Sequence, residues 1–210
     1  MSEPTDVKLN VINHSNDSSH SEFVIFQQNV SESFDLPSIA WIVIKGLDQG
    51  EHHPFVFEWK TQIDISDKYG NFSPRLDATP GQKFEVTKSP NGENLEHVGE
   101  ASKKDLIQVV NYLPNVTIGA HCYRSGKLLS SHNFVEPSKQ AEFHFKPSIY
   151  IGAVSQMEEG EPISTALADQ INTQFDLKDI LSADIVITGG GEGRTATSLK
   201  FTLENVKKRQ

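Results

Sequence analysis

Cysteine is nearly absent: Cys122 stands alone among 210 residues, which excludes an internal disulfide framework. Long apolar runs are absent as well. A stretch such as "SIAWIVIKG" (Ser38 to Gly46) falls far short of the roughly 20 residues that cross a bilayer as a helix, so an integral membrane segment is not expected. Basic residues are the scarcer charge, with 19 Lys and Arg against 28 Asp and Glu and a formal net charge of −9. That balance repels phosphate backbones and anionic lipid, and Lys207-Lys208-Arg209 at the end reads as a solvated tail, so no nucleic-acid partner is expected. The opening "MSEPTDVKLNV" lacks a basic segment followed by an apolar one, so a cytoplasmic location is the expectation, with non-classical export as the alternative. The sequons at Asn13, Asn16, Asn29, Asn71 and Asn115 are then chance products of an Asn/Ser-rich chain.

What the chain does have is a period of two. In "VKLNV" residues Val7, Leu9 and Val11 share a face. "HPFVFEWKTQIDIS" extends the alternation, with Phe55, Phe57, Trp59, Thr61, Ile63 and Ile65 on one side, and predicts a single long half-buried strand. "EFVIFQ" and "SIAWIVIKG" are apolar on both faces, as in strands covered by a further layer. "KFEVTK", "AEFHFK" and "SIYIGAVS" add strands, and Ser125-Gly126 inside "VTIGAHCYRSGKLLSS" predicts a tight hairpin. "SKKDLIQVVNYL" fits a helix or a strand, and its paired valines favour the strand. The polar "NHSNDSSHS" (Asn13 to Ser21) predicts an exposed flexible loop. A helix is predicted at "EPISTALADQIN" with Pro162 in its first turn, and a second helical turn capped by Asp176 with Leu177, Ile180 and Leu181. The predicted class is therefore all-β: an antiparallel β-sandwich, jelly-roll-like or Ig-like, of roughly eight to eleven strands with one or two short helices near 162–181. Residues 1–6 are expected to be a flexible N-terminus, 7–206 a single domain, and 207–210 a basic tail.

The stretch "ADIVITGGGEGRTATSLKF" (Ala183 to Phe201) has the outline of a phosphate cradle. A P-loop requires Gly-x-x-x-x-Gly-Lys-Ser/Thr and then a helix; here Thr188 occupies the first glycine position, Arg194 replaces the lysine, and an alternating strand follows. "TGGGEGRT" is predicted to be a hairpin loop whose glycines permit positive φ, and no nucleotide cofactor, nor any other, is implied.

Other chemistry is thin. His52 and His53 are adjacent and point apart in an extended chain, and they are expected in the loop before the long strand. His121 and His144 sit on polar registers without metal-ligand spacing, so no metal is assigned. Cys122 occupies the inward register, where it is a small buried hydrophobe rather than a nucleophile. "MEEGE" (Met157 to Glu161) reads as a solvated loop. In "IDISDKYGNFSPRLD" the residues Asp64, Asp67 and Asp77 with Asn71 could offer oxygens to calcium, but their spacing is not that of an EF-hand loop and Asp/Asn/Gly turn chemistry is the preferred reading. Asp64, Asp67, Tyr69 and Asn71 are taken as the candidate ligand-binding residues.

The segments "NVINHSNDSSHSEFVIFQQNV", "HPFVFEWKTQIDISDKYGNFSPRL", "PSIYIGAVSQMEEGE" and "ADIVITGGGEGRTATSLKFTLENV" together resemble a family of small bacterial all-β proteins of unassigned function. The layout is more distantly similar to the rhizosphere-induced proteins of rhizobia. The resemblance implies a compact β fold and carries no activity, cofactor or catalytic residue. The function expected is non-enzymatic: self-association, or binding of another protein, through sheet edges. The alternative is a carbohydrate-binding or membrane-active module of the lectin or cytolysin type, in which end-loop aromatics such as Tyr69, Phe72 or Trp41 meet a glycan or an interface.

Overall fold

The computed structural model describes residues 6–17, 19, 21–31, 36–90 and 92–209. The fold is all-β, with sixteen strands, one short α-helix and one 3-10 turn among these residues. The described residues fall into two compact units, the first drawn from the ranges 6–26, 40–59 and 147–209, the second from 27–39 and 60–146. No linker composition marks this division because the chain passes between the units four times. The first five residues of the predicted flexible N-terminus lie outside the described residues, as do Ser18, His20 and Gln210.

The first unit has two four-stranded sheets. One has the order β16-β15-β1-β4, from Thr197–Lys208, Ile180–Gly190, Val7–Asn13 and His52–Phe57. The other has the order β14-β13-β2-β3, from Thr173–Asp176, Ser148–Val154, Glu22–Phe26 and Ile42–Ile44. Their inner faces meet through aromatic edges: Phe23 on β2 lies 6.1 Å from Phe201 on β16, and Trp41 lies 6.0 Å from Phe57 on β4. Strand β2 is apolar on both faces because both are covered. Val24 and Phe26 point outward under Ile163 and Ile171, with Leu167 and Ala168 of the helix α1 (Thr165–Gln170) packed alongside. Gly152 on β13 is required here, since a Cβ would stand 2.5 Å from Ile171.

The second unit repeats the plan with β11-β10-β5-β6, from Lys127–Val135, Ile118–Arg124, Thr61–Ser66 and Leu76–Ala78. It faces β12-β9-β7-β8, from Gln140–Phe143, Ile107–Asn111, Gln82–Ser89 and Gly92–Glu100. The core between them includes Ile63, Ile65, Phe84, Val86, Val109, Ala120 and Phe143, supplied by the inward alternation of both sheets. The sheets are dominated by antiparallel pairs, but β1 with β15 and β7 with β9 run parallel.

Several expectations need correction. The predicted long strand from Phe55 to Ile65 is two strands, β4 and β5, in different sheets. The alternation persists through the break at Glu58–Lys60, and the Trp59 N–H is satisfied there by the Asp6 carboxylate at 3.1 Å. His52 and His53 open β4 rather than preceding it. The turn capped by Asp176 is not helical: Asp176 accepts from Lys178 N–H in the bend between β14 and β15. Helix α1 begins after Ser164, whose hydroxyl accepts from Leu167 N–H, so Pro162 precedes it. Within the predicted loop at 13–21, Asn13 closes β1 and Ser15 is buried, held by the Asn13 side chain. Lys207 and Lys208 of the predicted tail are the last residues of β16.

Candidate functional site

The glycine run is a hairpin loop, as its flanking alternation predicted. Gly189, Gly190 and Gly191 all have positive φ, and a Cβ on Gly190 would lie 2.8 Å from the Asn16 carbonyl carbon. The loop backbone is committed to the chain: Asn16 N–H donates to Gly189 O and Gly191 N–H to Asn16 O, both at 2.8 Å. These groups support the 13–17 segment rather than a phosphate.

The candidate residues Asp64, Asp67, Tyr69 and Asn71 fall at one end of β5, and the structure separates them. Asp67 organises the turn that follows. Its Oδ1 accepts from Tyr69 and Asn71 N–H at 2.8 and 2.9 Å, and its Oδ2 accepts from Asn71 Nδ2 at 2.8 Å. Those donors, the Asn71 side chain first, hold the Asp67 carboxyl below its ordinary range. Asp64 lies elsewhere, on the outer face of its sheet and 2 % exposed, accepting from Tyr123 Oη at 3.3 Å and Arg75 Nε at 3.4 Å. Burial raises its pKa against the opposing pull of Tyr123 and Arg75. Asp77 pairs with Gln62 Nε2. Among the described residues no group of three His, Cys, Asp or Glu is placed to hold a metal ion. Cys122 is fully buried, which pushes its thiol up to about 12.

Beside this turn the structure assembles a relay that sequence spacing did not reveal. His121 Nε2 lies 2.9 Å from Ser66 Oγ, and its Nδ1 lies 2.8 Å from Ser131 Oγ. Ser131 donates its hydroxyl to Asn133 Oδ1 at 2.6 Å, so it accepts from His121 Nδ1–H, and Nε2 is left to accept from Ser66. Burial, with His132 nearby, pushes the His121 pKa down to about 4 and keeps the ring neutral. Phe72 covers it at 5.3 Å. A Cβ on Gly119 would stand 2.3 Å from Ser66 Oγ, so only glycine leaves room for this hydrogen bond. A signal existed in Ser66, His121 and Gly119, but they meet only through the β5/β10 register. The nearby Asp67 and Ser73 N–H groups are spent on Asn71 O and Ile65 O, so neither supplies an oxyanion donor to Ser66.

An open cleft of about 230 Å3 lies over this turn, lined by Ser66, Asp67, Asn71, Phe72, Ser73 and Glu93 among others. Tyr69 is 78 % and Phe72 59 % exposed, as expected, whereas Trp41 is only 1 % exposed and corrects the third aromatic expectation. A second cleft in the first unit, about 540 Å3, is lined by polar residues that include Asn16, Asp17, Asp48 and Gln49.

The outer strands form the other candidate surface. Strand β4 carries Pro54, which has no N–H to offer. The strands β3, β6, β12 and β14 have three or four residues each. Val43 N–H of β3 is also taken by the Glu159 carboxylate, from the segment predicted as a solvated loop. Strand β8 carries Glu93, Glu96 and Glu100 without a lysine or arginine, with a register break at Lys83/Phe84 in its partner. Strand β11 has two register breaks against β10. Strand β16 differs: it is the longest strand, and between breaks at either end it pairs regularly from Lys200 to Glu204 with β15. Lys200, Thr202 and Glu204 are exposed, and Phe201 and Leu203 are partly buried on the inner face.

No helix among the described residues is long and apolar enough to cross a membrane. Comparison of the chain with protein-family models, with curated proteins and with solved structures found no match in any of the three.

Proposed function

We propose that the protein acts by non-covalent association, first with itself, rather than by catalysis. The observation that carries this reading is the contrast among the outer strands: Pro54, short length, like charge or, in β11, register breaks that leave only Ser130 to His132 in regular pairing blunt the others, while β16, itself broken toward both ends, keeps a regular exposed edge from Lys200 to Glu204. Main-chain hydrogen bonding to such an edge supplies affinity without a pocket. Sedimentation velocity across a concentration series tests it. The expected species has twice the 23.3 kDa chain mass. A strict monomer at the highest concentration would reject self-association.

A second reading rests on the 230 Å3 cleft, where the exposed Phe72 ring stands beside the Asp67, Asn71 and Glu93 side chains. An aromatic face with carboxylate and amide acceptors suits the apolar face and the hydroxyls of a neutral sugar. A glycan array with the wild-type chain and Phe72→Ala tests this reading. Binding that disappears with the ring would support it; a blank array would reject it.

A further inference from the structure

We infer that the partner of β16 is the β16 of a second copy, paired antiparallel with Thr202 facing Thr202 across a two-fold axis. This deepens, and rests on, the self-association reading above. The argument begins with charge. Glu204 stands directly opposite Asp184 on β15, so two carboxylates share one outer face of the sheet. Like charges opposed in this way destabilise a strand pair. The amides of Asn10 and Asn205 reach Asp184, but the ion pairs found among the described residues use neither Asp184 nor Glu204. A cation at the open side of Glu204 would offset the repulsion. Lys200, four residues away on the same face, meets that need when a second strand runs antiparallel with Thr202 at the centre. Lys200 of each copy then faces Glu204 of the other, twice by symmetry.

The inner face fits the same register. Phe201 faces the second copy's Leu203 and the reverse, and both residues are partly exposed on the isolated edge. The regular stretch has the length that this pairing needs, because the β15/β16 register breaks on either side of Lys200–Glu204 and Asn205 adopts φ 49°. Moving the centre by one residue loses the arrangement: with Leu203 at the centre, Lys200 faces Val206 and Glu204 faces Thr202.

Charge reversal tests the register. Lys200→Glu alone places carboxylates against Glu204, and Glu204→Lys alone places ammonium groups against Lys200. Each is expected to weaken the dimer about tenfold or more in sedimentation equilibrium. Mixing the two variants restores opposite charges at both contacts, so a heterodimer approaching wild-type affinity is expected, an outcome that misfolded variants could not give. Thr202→Cys is expected to cross-link to its own copy on mild oxidation. A dimer indifferent to both reversals, with no cross-link through position 202, overturns this register and leaves self-association standing. A monomer under all conditions overturns both.

Discussion

In the first unit the outer face of β14-β13-β2-β3 lies beneath Ile163 and Ile171, with Val24, Phe26 and Val154 underneath. In the second unit the outer face of β11-β10-β5-β6 lies beneath the turn at 67–75, and what it covers is polar: Asp64 with Tyr123, both reached by Arg75 of the turn itself, and Ser66 with His121 and Ser131. The two covers rest on different physics. The apolar one gains from area removed from water and is indifferent to pH. The polar one gains only while every donor finds its acceptor and each titratable group keeps its charge state. The same architecture thus gives one unit a cover insensitive to acid and the other a cover sensitive to it.

The largest expected effect tests the apolar cover. Ile171→Ala removes a side chain that is 6 % exposed and packs over Gly152, and should cost about 2–5 kcal/mol in urea unfolding, equally at neutral and mildly acidic pH. Loss of that pH independence would break the comparison.

Next comes acid acting on the polar cover. His121 has its pKa lowered from 6.5 to about 4 by burial, so between those values the unfolded chain binds a proton that the folded one refuses. Stability from this group is present above pH 6.5 and is lost as pH falls toward 4, on the order of 3 kcal/mol. Asp64 acts in the opposite sense, because its raised pKa lets the folded state take up a proton first as pH falls. A His121→Asn variant should flatten the acid limb of stability against pH; an unchanged slope would remove His121 as its source.

Arg75 gives a smaller, sharper effect. It lies 3.4 Å from the buried Asp64 carboxylate and 3.7 Å over the Tyr123 ring, but its side chain is 40 % exposed. Arg75→Gln should therefore cost about 1–2 kcal/mol at neutral pH and less once Asp64 is protonated, measured by unfolding at two pH values. The smallest effect belongs to Tyr69, 78 % exposed, where Tyr69→Ser should change stability by less than about 0.5 kcal/mol. A larger loss would mean that the turn relies on this ring.

Alternation along the sequence revealed the strands well wherever inner and outer faces differ. Ser125 and Gly126, both with positive φ, turn the β10/β11 hairpin as predicted, and the valines of "LIQVVN" do form strand β9. It failed where a pattern continues across a change of partner, as from β4 to β5, because Phe57 and Thr61 keep the same phase in either arrangement. Of the candidate site, Asp67, Tyr69 and Asn71 were legible because they lie within one turn. The His121 relay was not, since its members lie 55 and 10 residues away and only strand register joins them. The Asp184–Glu204 opposition is hidden for the same reason.

Pro54 carries a consequence for stoichiometry. A sheet that recruits copies at both of its edges becomes a fibre, because each addition exposes a fresh end. In β16-β15-β1-β4 the far edge is β4, and Pro54 removes one of the N–H groups that a further strand would need. Were two copies to join through β16 as proposed, only proline-carrying edges of this sheet would stand outermost, and growth would stop at two.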